Sequence, residues 1–137
     1  MKEARSHLIE FQVKPSAQRL AIMKYLMEHA THPTVDTIYN DLHESMPTLS
    51  KTTIYNTLKL LVEAGVVKTI HIEEKNIRYD ANLSRHAHFR CKNCKCIYDL
   101  PIPESDTIYV EGIGELEIDE VHLYYMGYCK NCSQKNN

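Results

Sequence analysis

Residues 50–65 read SKTTIYNTLKLLVEAG, and this stretch decides the fold. Ser50 is a capping residue, because its hydroxyl can accept from the backbone N–H groups that a helix leaves unpaired at its start. Ile54, Leu58, Leu61 and Val62 recur at three- and four-residue spacing and predict an inward face. Gly65 stands where a left-handed residue ends a helix. The exposed positions carry Lys51, Thr52, Thr53, Tyr55, Asn56 and Lys59. Together they offer ammonium groups, hydroxyls, an amide and one aromatic ring.

Two more helices are predicted upstream. Ser16 caps the first, whose apolar positions are Ala17, Leu20, Met23, Met27 and Ala30. Thr34 caps the second, with Asp36 in its first turn and Val35, Ile38, Tyr39 and Leu42 facing inward. His32-Pro33-Thr34 and Met46-Pro47-Thr48 are the breaks. Downstream come two β-like runs, Val66–Ile72 and Ile77–Asp80, joined by the polar residues 73–76. Helix, helix, helix, hairpin is a winged helix-turn-helix pattern, whose third helix enters the major groove. Thr or Tyr can touch a thymine methyl and Asn can pair with adenine. Lys51, Lys59, Arg19 and Lys68 are candidates for phosphate. The same polar residues would also suit an ordinary solvated helix face. The order of caps, glycine and hairpin favours double-stranded DNA as the partner.

The composition changes after residue 82. Leu83-Ser84-Arg85 reads as a linker, followed by strand-like His86–Cys91, Cys96–Leu100 and Val121–Tyr128. This gives an α+β chain with a winged-helix domain over 1–82 and a small α/β domain over 83–137. In the stretch 101–119, Ile108, Val110, Ile113, Leu116 and Ile118 fit neither period. Cys91 and Cys94 form one Cys-x-x-Cys, and Cys129 and Cys132 form another. Two such pairs can give four thiolates to one tetrahedral zinc ion. Disulfides or unrelated buried cysteines are the alternatives. A zinc staple suits a domain too small to bury much apolar surface.

The 137 residues carry a net charge of −2, so global charge announces no nucleic-acid partner. Residues 1–80 hold ten Lys/Arg and ten Asp/Glu, and residues 81–137 hold six and eight. Any DNA contact must therefore rest on local pattern. No apolar run is long enough to span a membrane, and no leader segment is visible. With paired cysteines, that predicts a cytoplasmic protein.

A second constellation precedes Cys91. His86 and His88 are two residues apart, so in a strand both rings point to one side. Asp80 ends the hairpin, Asp99 follows the cysteine knuckle, and His32 lies between two helices. Three imidazoles and two carboxylates suit Fe(II), Mn(II) or Zn(II). Taken singly, His32 also reads as a cap or surface residue and Asp80 as a turn residue.

These residues resemble the ferric uptake regulator family over nearly the whole chain. The matching segments are His32-Pro33-Thr34 through Ile38-Tyr39, Ser50 through Gly65, Arg78-Tyr79-Asp80, His86-x-His88-x-x-Cys91-x-x-Cys94, and Cys129-x-x-Cys132. The resemblance implies a dimeric, metal-dependent transcriptional repressor. Its N-terminal winged helix binds operator DNA and its C-terminal domain dimerises. Aspartate at 80 and 99 is similar to the peroxide-sensing branch, where iron-sensing members carry glutamate. His32, Asp80, His86, His88 and Asp99 match that branch's regulatory ligands, and the four paired cysteines match its structural zinc site. The resemblance further implies that Fe(II) at the regulatory site reacts with peroxide and oxidises a ligand, His32 or His86, whereas Mn(II) represses without reacting.

There are departures. The segment before Cys91 is poorer in histidine than in iron-sensing relatives. His122 is one residue out of step for a late ligand, which in a strand puts it on the other face. Gly112 and Gly114 oppose the helix usual in the dimerisation domain, and Cys96 is extra. The rival readings are an iron-responsive or zinc-responsive repressor of the same fold and, more remotely, a non-haem iron enzyme. The enzyme reading lacks a general-base motif and leaves the winged helix without a purpose.

Overall fold

The computed structural model describes residues 2–72, 75–84, 86–103, 110–118 and 120–135. Part of the predicted hairpin loop (73–74), Arg85 of the linker, and Ile108 within the ambiguous stretch lie outside them. The chain forms two compact units, Met1–Leu83 and Ser84–Asn137.

The first unit contains α1 (Lys2–Glu10), α2 (Ala17–Glu28), α3 (Val35–Leu42), α4 (Lys51–Glu63), β1 (Lys68–Ile70) and β2 (Arg78–Asp80). Ser16, Thr34 and Ser50 cap α2, α3 and α4. Each accepts the backbone N–H three residues on, at 3.2, 3.2 and 3.1 Å. Helix α4 closes on Gly65, which has φ +86°. The Gly65 N–H bonds to Val62 O at 3.0 Å and the Val66 N–H to Leu61 O at 3.1 Å. These are the two bonds of a Schellman close.

A Cβ on Gly65 would come no nearer than 4.0 Å to Phe11, so space is not the constraint. The constraint is the left-handed backbone. Gly65→Ala should therefore lower stability by about 1–2 kcal/mol, read as a shift in urea midpoint with an unchanged slope.

The core of this unit draws Ala4 and Leu8 from α1, Ile22, Met23 and Leu26 from α2, Ile38 from α3, and Ile54, Leu58 and Leu61 from α4. Val66, Val67 and Tyr79 close it. Val62 is only half-buried. The inward face of α2 is wider than the expected one: Met23 is buried and Leu20 and Met27 pack against the core as expected, Ile22, Tyr25 and Leu26 are buried too, and Ala17 and Ala30 are exposed. Seven of the eight residues from Leu20 to Met27 are apolar, so periodicity could not choose among faces. The hairpin is shorter than its β-like runs, with Lys68, Thr69 and Ile70 opposite Asp80, Tyr79 and Arg78.

The second unit contains β3 (His86–Cys91), β4 (Ile97–Pro101), a 3-10 turn (Ile113–Glu115), β5 (Tyr124–Gly127) and α5 (Lys130–Lys135). Strand β3 is central, antiparallel to β4 and parallel to β5. Register sorts the sheet into two faces. His88 lies opposite both Asp99 and Tyr124, while Phe89 lies opposite both Tyr98 and Tyr125. Because side chains alternate along β3, His86 and His88 share the first face, and Ala87, Phe89 and Cys91 share the second. Among the described residues, no helix is long and apolar enough to cross a membrane.

Candidate metal centres and nucleic-acid interface

The second unit brings the four paired cysteines together. Their sulfurs all lie within 4.8 Å of one another, and Cys94 Sγ is 3.8 Å from Cys129 Sγ. A tetrahedral ion with Zn–S bonds of about 2.3 Å sets its sulfurs about 3.8 Å apart, so this set fits zinc. No disulfide links them. Three polar groups orient the thiols: the Cys94 and Cys129 N–H groups donate to Cys91 Sγ at 3.5 and 3.4 Å, and Asn93 Nδ2 donates to Cys132 Sγ at 3.3 Å. The Cys129 N–H, helped by those of Cys94 and Asn93 and opposed by burial, brings the Cys91 thiol down to about 6. The Cys129 thiol is lowered too, first by the Cys132 N–H. Cys94 behaves oppositely. The Cys96 N–H favours its thiolate, but hydrogen bonds with the Cys91 and Cys96 thiols and burial push it up to about 12. Protons must therefore leave as a metal enters. Cys96 is exposed and stands outside the converging four.

The imidazoles and carboxylates come from both units, His32 and Asp80 from the first and His86, His88 and Asp99 from the second. In the first unit His32 Nε2 is 3.8 Å from Asp80 Oδ2, and both residues are buried. His32 has φ +57°, a left-handed conformation rare for a residue with a Cβ. The backbone around it is pinned: Arg78 Nη1 donates to the His32 carbonyl at 3.1 Å and the Tyr79 N–H to the Pro33 carbonyl at 3.0 Å. Asp80 Oδ1 accepts the Asn82 N–H at 2.9 Å, leaving Oδ2 toward His32.

In the second unit Asp99 Oδ1 lies 3.5 Å from His86 Nε2 and 3.3 Å from His88 Nε2, and the two Nε2 atoms are 3.0 Å apart. His86 Nδ1 donates to the Ser84 carbonyl at 2.6 Å. That bond fixes the tautomer and leaves Nε2 as the metal-facing atom. Two imidazoles and a carboxylate converging this closely can hold a divalent ion. His122 engages Glu120 at 3.4 Å and the Tyr124 hydroxyl at 3.3 Å instead.

On α4, Lys51, Thr52, Tyr55, Asn56 and Lys59 are exposed. Thr53 is half-buried and bound into the cap, with Ser50 Oγ donating to its hydroxyl at 3.0 Å. Arg19 is half-buried and donates to the Lys14 carbonyl at 2.8 Å, so part of its guanidinium is committed. Lys68 Nζ reaches the Leu83 carbonyl at 3.4 Å.

The sequence profile of the ferric uptake regulator family matches residues 10–125. The chain belongs to that family. The chain is 34% identical to the peroxide operon regulator of Bacillus subtilis over all of this chain and 96% of that one. It is 31% identical to the peroxide-responsive repressor PerR of Staphylococcus epidermidis, covering 100% and 93%. Among solved structures it is similar to the ferric uptake regulator Fur of Helicobacter pylori, with TM-score 0.72, 19% identity and coverage of 96% and 90%. It is similar also to PerR of Streptococcus pyogenes, a structure concerned with peroxide sensing, with TM-score 0.53, 28% identity and coverage of 95% and 90%.

For a member of the ferric uptake regulator family, several supporting residues went unread in the sequence. Asn93 inside the knuckle and the Ser84 carbonyl behind His86 hold ligands in place. Each follows from proximity to a ligand along the chain, a signal that spacing rules for the ligands alone do not use.

Proposed function

We propose that this protein is a metal-dependent transcriptional repressor that senses hydrogen peroxide. Residues 1–82 read operator DNA, and residues 83–137 dimerise and hold metal. Zinc on Cys91, Cys94, Cys129 and Cys132 is structural. His32, Asp80, His86, His88 and Asp99 hold one regulatory ion, Fe(II) or Mn(II). The observation that carries the reading is the short aspartate Asp99 within 3.5 Å of both His86 and His88 Nε2, in a chain over 30% identical to peroxide-responsive repressors along its whole length.

The ligands belong to both units, so an ion binding all five selects one arrangement of the reading helices. Shifting that arrangement from 1:99 to 99:1 takes about 5.5 kcal/mol of preferential binding. The chain's own residues supply it: three imidazoles, two carboxylates, and the Ser84 and Asn82 contacts that orient them. Fe(II) held there would supply redox chemistry toward hydrogen peroxide, a two-electron oxidant, and Mn(II) would not. The ring of His32 or His86 would gain one oxygen atom in a net two-electron oxidation, the other peroxide oxygen leaving as water, and the oxidised ring would be a poor ligand, which releases the DNA.

Dimerisation is supported by the second face of the sheet. Tyr98, Leu100 and Tyr125 are 41–51% exposed there, beside Tyr128. An apolar patch of this kind marks an interaction surface. Its occupant in this reading is a second copy.

On DNA, Tyr55→Ala should weaken operator binding by about 1–3 kcal/mol through lost base contacts. Lys51→Ala should weaken binding to every sequence and flatten the salt dependence by about one charge. If both variants bind as the parent does, α4 is not the reader. The reading as a whole is tested by selecting duplexes from a random pool with the Mn(II)-loaded protein. One preferred sequence, lost when the ion is removed by mild chelation, is the expected result. Selection that is indifferent to the ion would contradict metal-dependent repression.

A further inference from the structure

Lys51 opens α4, where its ammonium would meet a DNA phosphate in the reading above, on which this inference rests. In the free protein that ammonium is already engaged. Its Nζ lies 3.2 Å from Asp36 Oδ1, in the first turn of α3, and 5.2 Å from the centroid of the Tyr39 ring. Lys51 and Asp36 side chains are 56% and 73% exposed. An ion pair so solvated adds little to stability. Nor does α3 depend on Asp36 for its cap, because Thr34 already accepts the Thr37 N–H. The arrangement is better explained by what Asp36 does to Lys51.

A carboxylate and a phosphate are the same kind of partner for an ammonium: anionic, with oxygen acceptors only. We infer that Asp36 is a positioning residue that restrains DNA binding, its carboxylate holding Lys51 beside Tyr39 and competing with the DNA phosphate for the ammonium. Residues 1–80 have equal numbers of cations and anions, so no surplus positive field masks this one carboxylate. The phosphate contribution carries no sequence information. Weakening it leaves stable binding to depend on base contacts from Tyr55 and Asn56.

The test uses the full-length, Mn(II)-loaded protein. Its probes are the duplex that the parent selects from a random pool and an unselected duplex of equal length. Asp36→Asn should bind both about two- to fivefold more tightly at low salt. The slope of log affinity against log salt should steepen by up to about one charge. Asp36→Glu, which keeps the charge, should stay close to the parent. In a Lys51→Met background, Asp36→Asn should change nothing, an outcome that a general effect on the stability of α3 would not give. Unchanged or weaker binding by Asp36→Asn, or an equal gain without Lys51, overturns the inference while leaving the DNA reading in place. A parent that binds neither duplex overturns both.

Discussion

Cys91→Ser should purify without its zinc, without a folded second unit and without a dimer. Cys91 is fully buried, and its sulfur accepts two backbone N–H groups. Among the described residues of that unit, the buried apolar side chains are Ala87, Cys91 and Cys132. Two of the three are zinc ligands, so little core remains to hold β3 against α5 when the metal is lost. In small zinc modules the binding free energy, roughly 10–16 kcal/mol near neutral pH, is the folding free energy. A serine hydroxyl does not ionise at neutral pH and is a poor zinc ligand. The check is zinc per chain together with near-UV circular dichroism and size-exclusion chromatography. A folded dimer holding less than one tight zinc per chain would remove the structural role from these cysteines. Acid should act in the same direction, because protons compete with the metal for the four thiolates.

His32→Ala should abolish metal-dependent operator binding, a loss of roughly a hundredfold or more if most of a 5.5 kcal/mol preference disappears. His32 and Asp80 are the ligands that the first unit contributes in the proposed site. The bonds from Arg78 and the Tyr79 N–H go to backbone carbonyls, so the truncation leaves them intact. The ring is buried beside Asp80, so its removal also lowers stability, and the variant's thermal melt is followed alongside. Asp99→Glu should act differently. The added methylene moves the carboxylate relative to His86 and His88, which keeps a ligand but changes the ion's geometry. Metal-dependent DNA binding is expected to survive and peroxide sensitivity to be largely lost. Operator titrations with Fe(II) and Mn(II), before and after peroxide, separate the two outcomes. A His32→Ala variant that still responds to metal would place the regulatory ion elsewhere.

Much of the first unit was legible because its signals are local. Ser16, Thr34, Ser50 and Gly65 each act on residues within five positions, and each does in the structure what its chemistry predicts. Helix α1 was not legible. It is anchored by Ala4 and Leu8 alone, and two apolar residues four apart do not make a pattern. The face of α2 was only partly legible, because an almost continuous apolar run has no period. In the second unit, alternation along β3 placed His86 with His88, but the parallel pairing of β3 with β5 depends on contacts more than thirty residues apart. Helix α5 follows Cys129 in a short polar stretch with no apolar face. Around Gly112 the opposition to a helix was legible: Gly112 has φ +84° and only a 3-10 turn follows. The partners of Lys51 and Arg19 were invisible, since Asp36 and the Lys14 carbonyl reach them through folding.

In the proposed mechanism one Fe(II) site, built from this chain's imidazoles and carboxylates, converts peroxide into loss of DNA binding. The most direct measurement is peptide mass spectrometry on Fe(II)-loaded and Mn(II)-loaded protein after a low dose of hydrogen peroxide, with operator binding followed on the same samples. The expected result is one added oxygen on the peptide holding His32 or His86, release of DNA by the Fe(II) sample, and neither change in the Mn(II) sample. An Fe(II) sample that stays bound to its operator with both histidines unmodified would contradict it, and an iron- or zinc-responsive repressor would then be the better account.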